Sequence, residues 1–359
     1  MGRVTVKLPA RHYPVLVGRG ALLELPQLVR GLGATTAAVI GDRAAAEHWA
    51  PAVLAGLAGV GVRSELLAVE PGERSKSLAT LEGTLAFLED LALDRSGLVV
   101  ALGGGVVGDL AGFAAAIWLR GVRCVQVPTT LLAMVDASVG GKTGIDTLRT
   151  KNAIGSITQP AAVVADLATL DTLPEADYRA AFAEVVKYAV AMDRELAGEL
   201  LSRSVELLER QTDRLEPVVT RCVELKAGVV LADELDRGPR AILNYGHTLG
   251  HALESASGYD VLHGRAVAFG MRGAARIAER MGLCGPELVS VQESLLEAFG
   301  LPGELPRVEA RQLLSALPRD KKSSGGRIRW VLPRELGKAQ VGVTVPDEVV
   351  VEVVRDLLS

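Results

Sequence analysis

Aromatic side chains make up only 4% of this chain, and cysteine occurs 3 times in 359 residues. The first scarcity assigns the core to Val, Leu, Ala and Ile. The second excludes a disulfide-stapled secreted scaffold. Cys124, Cys222 and Cys284 also lack metal-site spacing and read as reduced core positions in a cytoplasmic protein. Positive charge is not in excess either: 39 Lys and Arg against 43 Asp and Glu leave a formal charge of -4, so neither nucleic acid nor an anionic membrane is an expected partner. No uncharged apolar run reaches the roughly 18 residues that span a membrane. Met1-Gly2-Arg3 enters an alternating strand pattern rather than a secretory signal. None of these absences excludes a locally positive pocket.

What is present is a 49% hydrophobic chain too long for one ordinary core, which predicts two domains, 1–171 and 172–359. Strand patterns over 4–8, 13–17, 36–40, 62–69, 98–102, 124–127 and 163–166 alternate with helical ones over 20–28, 44–55, 77–91 and 110–119. That alternation predicts an α/β class with a Rossmann-like parallel sheet in the N-terminal domain. Beyond it the texture turns to long helical periods over 180–192, 195–211, 215–232, 243–258 and 264–281, with a late strand at 328–332 and a closing helix at 347–358. The C-terminal domain is therefore expected to be mostly α-helical.

The densest chemistry lies in 99–152. An apolar strand enters Gly103-Gly104-Gly105-Val106-Val107-Gly108-Asp109 and an Ala-rich helix follows, the order that sets backbone N–H groups against a phosphate. The competing reading is a glycine turn that only closes a strand–helix joint. Lys142, Lys151 and Arg149 add a cationic group in glycine-rich surroundings, as an oxyanion would need. Gly140-Gly141-Lys142-Thr143 is not a P-loop, because the glycine that opens that motif is missing. Asp42, Gly104 and Thr129 all fall at carboxyl ends of strands, where an α/β sheet opens its ligand crevice.

The helical half carries coordinating groups. Glu184 and Lys187, three apart, share a helix face. Arg240, Asn244, His247 and His251 recur at intervals of four, three and four, so one side of that segment can present all of them to one cavity. His263 follows. With Glu184, two of the three histidines make a two-His, one-carboxylate site with an open position, the arrangement of catalytic zinc. Spacing leaves open which two. Lys321 and Lys322 read either as a solvated loop or as a lysine pair folding over a phosphate.

These motifs resemble the 3-dehydroquinate synthase family, the NAD-dependent sugar-phosphate cyclases. The resemblance is carried by Gly103 to Asp109, Arg120-Gly121-Val122, Gln126-Val127-Pro128-Thr129-Thr130 through Asp136, and Gly140-Gly141-Lys142-Thr143-Gly144-Ile145-Asp146. It continues through Lys151-Asn152-Ala153-Ile154-Gly155, Thr172-Leu173-Pro174, Ala183-Glu184-Val185-Val186-Lys187, Leu243-Asn244-Tyr245-Gly246-His247-Thr248-Leu249-Gly250-His251 and Asp320-Lys321-Lys322. The resemblance implies an NAD domain, a helical metal domain carrying Zn2+ or Co2+, and a homodimer. It assigns the metal to Glu184, His247 and His263. It assigns NAD to Asp42, Glu73, Lys76, Gly104, Gly105, Asp109, Thr129, Thr130 and Thr172, with Lys151 joining that set. Phosphate falls to Lys142, Asn152, Asn244, His251 and Lys321 or Lys322, with Arg120 reaching the neighbouring subunit's substrate. Lys226 and Arg240 match positions for a substrate carboxylate, with Asp236 nearby in sequence, and Asp136 and Lys187 match positions around the reacting hydroxyls.

The family usually has Glu where Asp236 stands and Gly where Ala181 and Thr150 stand. The expected substrate is 3-deoxy-D-arabino-heptulosonate 7-phosphate, a small phosphorylated and carboxylated sugar. The nearest alternative is the 5-deoxy-5-amino-3-dehydroquinate synthase of secondary metabolism, whose substrate keeps both anionic groups. A metal-dependent alcohol dehydrogenase of the glycerol dehydrogenase type is the alternative from another class.

Overall fold

The computed structural model describes residues 1–9, 11–148, 150–317 and 328–359. Its elements begin with β1 (Gly2–Leu8), β2 (Arg11–Gly18), α1 (Leu25–Gly31), β3 (Thr36–Asp42), α2 (Arg43–Gly59), β4 (Arg63–Val69), α3 (Leu78–Asp90) and β5 (Leu98–Gly103). Next come α4 (Gly105–Ile117), β6 (Arg123–Pro128), β7 (Lys142–Ile145), β8 (Ile154–Ile157) and β9 (Ala162–Asp166). After these come α5 (Glu175–Met192), α6 (Arg194–Ser202), α7 (Ser204–Leu208), α8 (Thr212–Ala232), α9 (His247–Ala256), α10 (His263–Arg280), α11 (Pro286–Ala298) and α12 (Ala310–Ala316). A hairpin of β10 (Trp330–Glu335) and β11 (Lys338–Val343) precedes α13 (Asp347–Leu358). The chain forms two compact units, one of Met1–Pro174 with Leu215–Leu235 and one of Glu175–Arg214 with Asp236–Ser359.

The first unit is built on a 7-stranded sheet of order β1-β2-β9-β6-β5-β3-β4. β1 runs antiparallel to β2 at the edge, and every other neighbouring pair is parallel. β5 is buried along its whole length, which is why it reads as an unbroken apolar run rather than an alternation. Its residues alternate between two layers: Val100 and Leu102 pack with Val53 and Leu57 of α2, while Val99 and Ala101 pack with Leu110, Ala111 and Ala114 of α4. From β3 the chain crosses outward to β4, and from β5 it crosses the other way to β6. The crevice outside the carboxyl ends of β3 and β5 is therefore the topological switch point of the sheet.

In the second unit, residues 180–191 of α5 are all buried, and Glu184 and Lys187 are the charged residues among them. A helix apolar on every side belongs to a core, so these two charges need internal partners. Close helix packing comes from glycine. A Cβ at Gly264 of α10 would lie 1.9 Å from the Ala180 carbonyl oxygen of α5, and one at Gly270 would lie 1.8 Å from that of Gly246.

Several elements differ from the sequence expectation. α4 starts at Gly105 rather than at 110, and the helix expected over 195–211 breaks at Arg203 into α6 and α7. The helix expected over 243–258 is interrupted. Pro239–Asn244 is a 3-10 turn, and Gly246, at φ 81°, resets the backbone before α9 starts at His247. Arg240 and Asn244 thus do not share one helical face with His247 and His251. The hairpin β7–β8, the second strand β11 and helices α11 and α12 were not expected from the pattern. No helix among the described residues is long and apolar enough to cross a membrane.

Replacing Gly270 by Ala forces backbone to move in α9 or α10 and is expected to destabilise the protein by about 1–3 kcal/mol. The urea midpoint reads this directly, and an unchanged midpoint would contradict the close packing.

Candidate active site

At the switch point Asp42 caps α2. Its Oδ1 accepts from Ala45 N at 2.9 Å, and its Oδ2 faces Gly104 N at 3.4 Å. The three glycines serve close approach. Gly104 has an ordinary φ of -75°, but a Cβ there would meet Thr130 Cγ2 at 3.2 Å, and one on Gly105 would meet the Ala137 Cβ at 3.2 Å. Gly104 is also the N-cap of α4, so the first-turn N–H groups of that helix are open toward an anion. Thr129 N donates to Gly103 O at 3.0 Å, tying the loop after β6 to the glycine turn, and within that loop Thr130 Oγ1 accepts from Ala133 N at 3.1 Å.

Beside this turn lies a buried cation. Lys76 Nζ donates to Asp109 Oδ2 at 2.8 Å and to Asn152 Oδ1, and Glu73 lies 3.8 Å away. Burial pulls the Lys76 ammonium down, but Asp109 and Glu73 together hold it above the usual lysine value. Burial pushes the Asp109 carboxyl up even against the lysine. Lys151 is 3.7 Å from the same Glu73. With its Oδ1 taken by Lys76, Asn152 has its amide N–H groups as the donors it can offer an oxyanion. Lys226 Nζ donates to the Asp136 carbonyl at 2.6 Å and pairs with its carboxylate, so Asp136 holds this ammonium in place.

Other expected residues of this unit are more dispersed. Thr172 Oγ1 accepts from Trp49 Nε1 at 3.1 Å and donates to Thr169 O at 3.0 Å. Lys142 is exposed at the start of β7. Arg120 is exposed too, and it follows Leu119 with both residues in the left-handed region, at φ 49° and 67°.

In the helical unit one carboxylate gathers the coordinating groups. Glu184, 0% exposed, has Oε2 against Lys187 Nζ, while Oε1 lies 3.4 Å from His247 Nε2 and 3.7 Å from His263 Nε2. Glu184, His247 and His263 each offer one donor atom, all within 4.8 Å of one another. Metal–ligand bonds of about 2.0–2.2 Å in a tetrahedron set donors about 3.3–3.6 Å apart, so this set fits a divalent ion. The outer nitrogens have acceptors as well: Tyr245 O lies 3.2 Å from His247 Nδ1, and Glu254 Oε1 lies 3.3 Å from His263 Nδ1.

The two imidazoles are shifted in opposite directions. Burial brings His247 down to about 3, with Glu184 opposing. Burial also works against a charged His263, but hydrogen bonds and charge from Glu184 and Glu254 outweigh it and carry that ring to about 10.

Elsewhere in this unit His251, one turn after His247 on α9, is exposed, with ring centroids 5.2 Å apart. Asn244 is exposed at the end of the 3-10 turn, Arg240 is 3% exposed within it, and Asp236 is exposed with φ 56°. Arg149, Lys321 and Lys322 lie outside the described residues. Glu254 was missed in the sequence, although its position three after His251 on a helix was a usable signal.

The family described as 3-dehydroquinate synthase N-terminal matches residues 66–180, and the one described as 3-dehydroquinate synthase C-terminal matches 181–323. A 3-dehydroquinate synthase of Pelobacter propionicus is 50% identical over 345 residues, covering 95% of this chain and 96% of the relative. Among solved structures, a 2-deoxy-scyllo-inosose synthase complexed with carbaglucose-6-phosphate, NAD+ and Co2+ superposes with a TM-score of 0.89 at 25% identity, covering 99% of this chain and 100% of that one. The 2-epi-5-epi-valiolone synthase of Streptomyces hygroscopicus with NAD+ and Zn2+ bound also gives 0.89, at 26% identity and 98% of each chain.

The Lys76–Asp109 pair offers a structural test of the charged cluster beside the glycine turn. Asp109→Asn leaves a buried ammonium with weaker compensation and is expected to cost about 2–4 kcal/mol in denaturant unfolding. A midpoint equal to that of the native chain would contradict the pairing.

Proposed function

The chain belongs to the 3-dehydroquinate synthase family, and from that premise we propose how its residues divide the work. It is an NAD- and metal-dependent lyase that converts 3-deoxy-D-arabino-heptulosonate 7-phosphate to 3-dehydroquinate and phosphate. The sequence of events is transient oxidation, phosphate elimination, reduction and intramolecular aldol closure. The observation that carries the assignment onto these residues is the Glu184–His247–His263 donor set, present on a chain that matches the family nearly end to end.

Glu184, His247 and His263 would hold the divalent ion, for which Zn2+ or Co2+ suits mixed imidazole and carboxylate donors. When bound, NAD would supply reversible hydride transfer and the ion would supply Lewis-acid polarisation of substrate oxygens. Lys187 pairs with the second oxygen of Glu184 and balances its charge. Asp136 and Lys187 serve the reacting hydroxyls, where each can hold or move a proton at oxygen.

Lys142, Asn152, Asn244, His251 and Lys321 or Lys322 grip the phosphate, and the departing phosphate relays the elimination proton. Lys226 and Arg240 bind the substrate carboxylate, and Asp236 is a further substrate-binding residue. On the sheet unit, Asp42, Gly104, Gly105, Thr129, Thr130 and Thr172 line the NAD site, with Glu73, Lys76, Asp109 and Lys151 forming its charged flank. The open first turn of α4 and the close approach of the glycine turn to Thr130 support this division.

The working form is a homodimer in the cytoplasm, with 1–171 as the NAD part and 172–359 as the metal and substrate part. Arg120 completes the neighbouring subunit's phosphate site. Two consecutive left-handed residues that present an exposed arginine are the kind of stored strain that function retains, and they support this reading.

A side-by-side assay with the ordinary and the 5-amino substrates, each with NAD and Zn2+ or Co2+, tests the substrate. The expected result is phosphate release from the ordinary substrate, formation of the carbocycle and no net NADH. Turnover of the amino substrate alone, or one NADH made per substrate consumed, would overturn it.

A further inference from the structure

His263, the first residue of α10, turns its two ring nitrogens in different directions. Nε2 faces Glu184 Oε1 at 3.7 Å, and Nδ1 faces Glu254 Oε1 at 3.3 Å. His247 is divided in the same way, with Nε2 toward Glu184 and Nδ1 toward the Tyr245 carbonyl. Glu254 is 4% exposed near the end of α9, and its second oxygen lies 3.9 Å from His251 Nε2.

We propose that Glu254 is a positioning residue of the metal centre, accepting the Nδ1–H of His263 so that the Nε2 lone pair is presented toward Glu184 and His247. This rests on the assignment of those three residues as metal ligands. A neutral imidazole carries its proton on one nitrogen or the other, and a metal needs the bare one. A buried carboxylate on Nδ1 fixes that choice and raises the basicity of Nε2. A backbone carbonyl does the same for His247, but it is uncharged and belongs to the fold. Glu254 is therefore the outer partner that a side-chain substitution can remove.

A competing arrangement exists, because His251, Glu254 and His263 also bring donor atoms within 4.8 Å of one another. Two features favour the Glu184 centre. Glu184 is fully buried with its donors converging on one oxygen, whereas the His251 side chain is 57% exposed. Placing an ion at the second cluster would also take His263 Nδ1 away from its hydrogen bond with Glu254.

The test is Co2+ affinity by chelator competition on the full-length protein, for the native chain, Glu254→Gln and Glu254→Leu. Melting temperatures of the metal-free forms check that each variant folds. Gln can still accept from Nδ1–H but lacks charge, so it is expected to weaken binding about tenfold, and Leu, with no acceptor, about a hundredfold. A merely structural role would lower the melting temperature and leave the affinity of folded protein unmoved. Should the Leu variant not fold, the Gln variant decides alone. Affinities indistinguishable from native overturn the inference while leaving the ligand assignment standing. Two Co2+ per native chain, with one lost in Glu254→Gln, would make Glu254 a ligand itself and also overturn it. A native chain that binds no Co2+ would bring down the ligand assignment and this inference together.

Discussion

A carboxylate with no exposure to water has to be compensated from within, and Glu184 is such a group. In the middle of a helix whose neighbouring residues are buried on every side, its charge is met by Lys187 on one oxygen, while two imidazole Nε2 atoms face the other, where a divalent cation would complete the compensation. Replacing such a cluster by apolar residues would suit stability at least as well, because desolvating charges is expensive even when they are paired. Folding alone therefore gives no reason for a charged cluster in this core.

The rest of the helical unit serves this cluster through backbone proximity. Gly264 lets the start of α10 touch α5 at Ala180, which sets His263 beside Glu184. Gly246, in the left-handed region, ends the preceding turn and lets His247 begin α9. In the sheet unit an analogous economy of atoms brings the glycine turn after β5 against Thr130 and Ala137, and a buried lysine with two carboxylates lies beside it. In both places small residues remove bulk where backbones must approach, and a few charges do the chemistry.

Much of this was legible in the sequence. β3 and β5 are buried on both faces, so their apolar runs were unmistakable, and the glycine turn at a strand end followed from its residues alone. The hairpin β7–β8 was not legible, because its strands are four residues long and pair Gly144 with Gly155, residues that read as loop. Close backbone contact requires them: a Cβ at Gly155 would lie 2.2 Å from Thr143 O. Helical spacing brought His247 and His251 onto one face but could not say which histidine would meet Glu184. In the fold that depends on the docking of α10 against α5, a contact between segments some 80 residues apart that no periodicity records. Glu254 escaped notice for the related reason that its partner, His263, sits on the next helix.

The central claim is that one buried carboxylate and two imidazoles bind a single ion. Anomalous scattering at the zinc edge from crystals loaded with Zn2+ tests it most directly. The expected result is one peak at about 2.0–2.2 Å from Glu184 Oε1, His247 Nε2 and His263 Nε2. A peak among His251, Glu254 and the Nδ1 of His263, with Glu184 uncoordinated, would contradict it.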